Sequence, residues 1–349
     1  MKSIAFILYL GSLFSGVLYG QIETTVLDTS STHASKGLGY FFTNRELTIN
    51  EDSSYSFRNR WTRQTNSIYF CRYDFERDTV YLKYKATKTI PGNQYPTDLV
   101  ADNFFYNIYA DLRLKQGIRN FVIVIPGKRK TLQDQLNSYM FRLQRAFADS
   151  SARTAFITFA WGAQTEDPFF YKAERSAGNA ADDFSIFQNM MESFLTDSIF
   201  FNTNPDDISF KLVCLSMGNE LFKSYLINRE KQEIDLKPVY KRVVFIRSDV
   251  SADSFEEGGG FHHLTQMADS VLILVNSMDG PKEKSKQLNP NGRLGHLGPT
   301  NLNDLPECIM VKDMTNIISR KELSEMGDEY FIRNRELRQM ILYGQLIEE

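Results

Sequence analysis

From Asn120 onward the chain alternates short, unbroken apolar runs with amphipathic stretches of helical spacing. The runs Asn120–Ile125, Ala155–Trp161, Phe210–Leu215, Arg242–Ile246, Ser270–Val275 and Cys308–Val311 each predict a strand covered on both faces. Between and after them, Thr131–Ala148, Tyr171–Phe194, a stretch starting at Met217 and Ile332–Leu346 predict helices. Strand then helix, repeated, makes an α/β fold: a mainly parallel sheet with helices on both faces. Pro126-Gly127, Trp161, Ser216, Asp249 and Asp279 then fall at or just past the carboxyl ends of strands, where such sheets collect functional groups.

Upstream the pattern changes. Gly39–Thr43, Ser67–Arg72 and Thr79–Tyr84 are dense in aromatic and β-branched residues and alternate, predicting antiparallel strands at one edge of the main sheet. Asp98–Lys115 has a helical apolar face of Phe104, Phe105, Ile108, Tyr109 and Leu112. Gln21 to Lys36, rich in Ser and Thr without periodicity, is a flexible lead-in. Lys2, the apolar run Ile4–Leu10 and the small residues toward Gly20 predict a signal peptide. The expected division is a signal peptide at 1–20, a lead-in at 21–36, a β-rich extension with its helix at 37–118, and the α/β domain at 119–349.

One junction concentrates candidate chemistry. The apolar run ending at Leu215 passes through Ser216-Met217-Gly218 straight into a helical pattern. That is the layout of a nucleophile elbow, in which a serine on a sharp turn projects above the sheet at the positive end of a helix. The elbow needs small residues two before and two after the serine; Gly218 meets the second condition and Cys214 loosely fills the first.

With 349 residues and 42% hydrophobic content, the chain can bury a large core. A formal charge of −3, with both signs interspersed, gives no electrostatic drive toward nucleic acid. No second long apolar run follows the leader, so no transmembrane span is expected in the mature chain, which is exported to the periplasm or beyond. The three cysteines cannot all pair and lack metal-ligand spacing; Cys214 and Cys308, in apolar runs, are expected to be buried free thiols. No metal or organic cofactor is implied.

With these residues assembled, the chain resembles the α/β-hydrolase superfamily, and within it a bacterial branch with esterase- or lipase-like features. Gly39-Tyr-Phe-Phe-Thr-Asn-Arg45 is similar to that branch's entry motif, and Phe159-Ala-Trp161 with Tyr171 and Arg175-Ser-Ala177 to its Phe-Ser-Trp block. Leu215-Ser-Met-Gly-Asn219 stands where the branch has His-Ser-Met-Gly-Asn. Asp249-Val with Phe255, and Arg293-Leu-Gly295, resemble two further blocks. There are two departures. Pro126-Gly127 replaces the His-Gly of the oxyanion strand, and Gly327-Asp-Glu-Tyr-Phe331 puts Asp328 where the resemblance implies the catalytic histidine. An unperturbed aspartate, titrating near pH ~4, is a weak base for a serine hydroxyl.

Four histidines remain as bases. His33 lies in the lead-in, and His262 and His263 follow a glycine run where surface or packing roles are favoured. His296 follows Asp279, completing the order Ser…Asp…His. The expected site is therefore Ser216 as nucleophile, Asp279 as orienting acid with Asp249 as the alternative, His296 as base, and the backbone N–H groups of Met217 and Lys128 as oxyanion donors. Trp161 reads as pocket wall or core, and Lys128-Arg-Lys130 as a solvated turn. Two functions follow. One is an exported serine hydrolase acting on a small or lipid-like acyl substrate (ester, thioester or amide). The other is a catalytically degenerate hydrolase fold that binds a protein partner in the cell envelope.

Overall fold

The computed structural model describes residues 38–49, 55–57, 67–74, 79–87, 104–127, 131–147, 153–162, 170–196, 208–279, 289–319, 321 and 330–344. The apolar runs become β6 (Asn120–Ile125), β7 (Thr154–Phe159), β8 (Ser209–Leu215), β9 (Arg242–Ile246), β10 (Val271–Val275) and β11 (Ile309–Asp313). Upstream lie β1 (Leu38–Thr43), β4 (Ser67–Asp74) and β5 (Thr79–Thr87), with a short pair, β2 (Leu47–Ile49) and β3 (Tyr55–Phe57), between them. The main sheet has nine strands in the order β11-β10-β9-β8-β6-β7-β1-β4-β5. Every neighbouring pair from β11 to β1 is parallel, whereas β1–β4 and β4–β5 are antiparallel. The edge ladder predicted from alternation is present, and β1 joins it to the parallel body. The β2–β3 pair was not anticipated, because three-residue strands are too short to show a period of two.

Both faces of the sheet are covered. On one, Phe42, Phe159, Ile125, Cys214 and Phe245 pack under the long helix Phe170–Thr196 and the helix Met217–Lys231. Phe42 stacks on Phe159 and Phe187. On the other, Val124, Leu215 and Ile246 meet Tyr139 and Leu143 of the helix over 132–146, and Leu337 and Ile341 of the last helix. Each such apolar side chain contributes about 1.5–3 kcal/mol on burial, which is why unbroken Val/Ile/Phe runs settle in the middle of the sheet. The helix predicted over Ile332–Leu346 is two pieces, Tyr330–Arg333 and Arg335–Tyr343. Asn334 separates them: its side chain accepts from Leu337 N, capping the second piece, and Gly344 at φ +80° ends it. The three cysteines are free; Cys308 is half-buried rather than buried.

Between β6 and β7 the chain moves to one side, then returns past β6 to place β8 on the other. The strand order therefore reverses between β6 and β8, whose carboxyl ends lead into Pro126 and Ser216, the place where open α/β sheets collect functional groups.

The opposite, amino end of the same strands carries a buried cation. Lys211 Nζ donates to Asn120 Oδ1 at 2.7 Å and Ser209 Oγ at 3.2 Å. Burial, then the nearby Arg242 and Lys241 charges, lower its pKa from 10.5 to about 8. Below about pH 8 both folded and unfolded chains carry this proton, so the penalty is complete; between 8 and 10.5 the folded chain releases it first and recovers stability. Lys211→Met is thus expected to stabilise by about 1–2 kcal/mol at neutral pH, net of two lost hydrogen bonds. Denaturant midpoints measured from pH 7 to 10.5 should show the gain fading as pH rises; a constant difference would rule this account out.

Candidate functional site

Ser216 follows β8 directly and is partly exposed, with φ +48° and ψ −118°. A serine in this region costs on the order of 1–3 kcal/mol and persists only where its surroundings enforce it. Here they do. Ser216 N donates to Ile246 O at 2.9 Å, and Ser216 O accepts from Asn219 N at 3.0 Å and Asn219 Nδ2 at 2.8 Å. The helix Met217–Lys231 then leaves the turn, so the Met217 N–H is a first-turn donor with no intrahelical acceptor. Gly218 sits against β6: a Cβ there would overlap Ile125 O and stand 2.8 Å from Pro126 O. Cys214, two before the serine, is fully buried, and burial raises its thiol well above the usual range. It packs; it is not a second nucleophile.

The strand ends on either side are tied down by side chains. Trp161 Nε1 donates to Pro126 O at 2.8 Å. Thr43, Asn44 and Arg45, at the end of β1, hydrogen-bond the backbone from Ala160 to Gly162. Trp161 is thus not pocket wall but a buried side chain making a polar contact.

Beyond β9 and β10 lies a set of alternating charges. Arg247 donates to Asp279 through Nε at 2.8 Å and Nη2 at 2.7 Å, a two-pronged pair with both side chains largely buried. Arg293 Nη2 is 3.7 Å from the same carboxylate, and Arg293 Nε is 2.8 Å from Asp249 Oδ1. Both aspartates proposed as triad acid therefore hold arginines. Arg247 itself has φ +48° and stands beside Ser216, since Leu215 pairs with Ile246. Glu220, in the first turn of the elbow helix, is buried against Lys223 Nζ at 2.6 Å. Burial raises its pKa most, and Glu174 and Asp249 push the same way.

His296 sits on the turn Leu294–Leu297, which lies across the ends of β9 and β10. Gly295 N donates to Ser248 O, and Gly295 O accepts from Asn276 N, both at 3.0 Å. His296 Nδ1 is buried without a partner among the described residues. Among the described residues no hydrogen bond joins His296 to Ser216 or to Asp279. His262 and His263 are exposed, with His263 beside Glu230 at the far end of the elbow helix, roughly 20 Å along it from Ser216. Lys128, His33 and Asp328 lie outside the described residues.

The structure thus gathers Ser216, Met217, Asp279 and His296 at one end of one sheet. Arg247 and Glu220 were missed by sequence reasoning. The signal for Arg247 was its place directly after an apolar strand; for Glu220, its place four residues after the serine on the helix. Among the described residues no group of His, Cys, Asp and Glu could hold a metal ion, and no helix is long and apolar enough to cross a membrane.

A parallel sheet covered on both faces, with a strained serine between strand and helix at the switch point, defines an α/β-hydrolase fold. A family model described as an alpha/beta hydrolase of unknown function matches residues 119–345, and the chain belongs to that family. No curated protein matches it.

Proposed function

We propose that the chain is an exported serine hydrolase that cleaves an ester, thioester or amide of a small or lipid-like acyl substrate. The observation that carries this is the Ser216 backbone at φ +48°, ψ −118°, held by Ile246 O and followed by a helix N-terminus. Ser216 Oγ attacks the acyl carbon, and its proton passes to His296, whose Nδ1 has no other partner. The N–H of Met217 is assigned as one donor to the developing oxyanion, and that of Lys128, which lies outside the described residues, as the other. The leaving group takes the proton from His296, and water repeats the sequence to release the acid. Asp279 orients the imidazole. This requires His296 to close on Ser216.

A second function, binding without catalysis, is favoured by one observation: the Asp279 carboxylate is held by Arg247 rather than by a histidine. Labelling with a fluorophosphonate probe separates the two. Labelling of the wild type that is lost in Ser216→Ala and in His296→Ala supports the hydrolase. A folded wild type that takes up no label leaves the binding function. Sequencing the exported protein from its N-terminus checks the leader, with a start near Gln21 expected.

A further inference from the structure

Trp161 is fully buried directly after β7, and its indole N–H donates to Pro126 O at 2.8 Å. That carbonyl closes β6 and lies against the elbow helix, 2.8 Å from where a Cβ on Gly218 would stand. A trans peptide is planar, so holding the Pro126 carbonyl also sets the direction of the Gly127 N–H. Trp161 is held in turn from behind. Its own carbonyl accepts from Arg45 Nη2 at 3.0 Å and from Gln135 Nε2 at 3.1 Å. The carbonyl before it, Ala160 O, accepts from Thr43 Oγ1 at 2.7 Å and Arg45 Nε at 3.2 Å. The N–H after it, from Gly162, donates to Asn44 Oδ1 at 2.9 Å, and Asn44 Nδ2 is anchored to Asp183 Oδ2 at 2.8 Å.

Three consecutive residues past β7 are therefore bonded to three consecutive residues at the end of β1. Packing alone does not call for this arrangement. An apolar core can be filled without an indole N–H donor, and taking a guanidinium fully out of water is costly. Burial lowers the Arg45 pKa to about 10. A buried cation spent on the carbonyls of a strand end fixes geometry there more than it adds stability.

We infer that Thr43, Asn44, Arg45 and Trp161 form a relay of positioning residues that sets Pro126 and Gly127, at the end of β6, against the Ser216 elbow. Its catalytic consequence rests on Ser216 being the nucleophile; its geometric consequence does not. Trp161→Phe keeps an aromatic six-membered ring but removes the pyrrole part of the indole with its N–H donor. In this variant the rate constant for inactivation by the fluorophosphonate is expected to fall about 10–100-fold, because the end of β6 shifts against the Ser216 elbow. Probe affinity should stay close to wild type while the thermal midpoint falls by a few degrees, from the cavity and the unpaired Pro126 carbonyl; a merely structural role would lower the midpoint without lowering the inactivation rate constant of the folded protein. Amide exchange over residues 121–131, read by mass spectrometry, should rise about tenfold while exchange over β9 is unchanged. Arg45→Met should act in the same direction, and Arg45→Lys should recover part of the loss.

Wild-type labelling rate and wild-type exchange in Trp161→Phe would overturn the relay. Should the wild type itself take up no label, the serine-hydrolase proposal fails, and exchange alone decides. Raised exchange over 121–131 then upholds the relay, and unchanged exchange overturns it.

Discussion

Gly218→Ala is expected to abolish fluorophosphonate labelling and to lower stability by about 3 kcal/mol. The new Cβ would meet Ile125 O and stand 2.8 Å from Pro126 O and 2.9 Å from Ile125 C. All three are backbone atoms at the end of a central strand that is hydrogen-bonded on both sides, so none can turn aside as a flexible side chain would. The elbow helix must lift off β6 instead. Lifting it moves the Met217 N–H and relaxes the turn that strains Ser216, and a displacement of about 1 Å at a reacting centre costs on the order of 100-fold in rate. Gly178→Ala is the control. It lies within the helix Phe170–Thr196, where a Cβ would meet only Ser224 Oγ at 3.9 Å, so helix propensity should make it neutral or stabilising by up to about 1 kcal/mol. Thermal denaturation of both variants decides; a Gly218→Ala protein as stable and as reactive as wild type would remove the close approach of helix and strand from the account.

Asp279→Asn separates two roles that one carboxylate is asked to fill. The side chain accepts twice from Arg247 and stands 3.7 Å from Arg293, all three largely buried. An amide turns one acceptor into a donor facing a guanidinium and leaves two buried cations short of charge. The expected loss is about 3 kcal/mol, typical of breaking a buried pair from one side. If the same carboxylate also orients His296, labelling should fall by roughly 10⁴-fold, far beyond what unfolding of a still-native protein explains. Lost stability with wild-type labelling would make Asp279 a structural partner of Arg247 and take it out of the catalytic set. Urea unfolding and labelling rates on the same preparation give both readings.

Much of this arrangement was legible in the sequence. Unbroken apolar runs of strand length, such as Phe121–Ile125, cannot be exposed on either face and so announce a parallel sheet. Leu215-Ser-Met-Gly218 announced a turn, because a strand running into a helix within two residues leaves the serine little choice of backbone. The break at Asn334 was missed because the apolar period continues across it; only the side chain's bond to Leu337 N reveals a new helix start. His262 and His263, for which surface or packing roles were both open, are exposed.

Pairings across the sheet could not be read in this way. Asp279 looked like a free acid after a strand, and its commitment to Arg247, 32 residues earlier, depends on β9 and β10 lying side by side. Arg45 stood in the sequence only as the last residue of a motif; its complete burial follows from β1 pairing with β7, more than a hundred residues on. The sequence by itself determined the local events: which segments are strands or helices, and where a serine must turn sharply. Those depend on periodicity and on backbone sterics within a few residues. The tertiary structure alone decided which charge meets which, and which polar side chain is taken out of water. Those depend on strand order, and strand order is set by how the whole core packs.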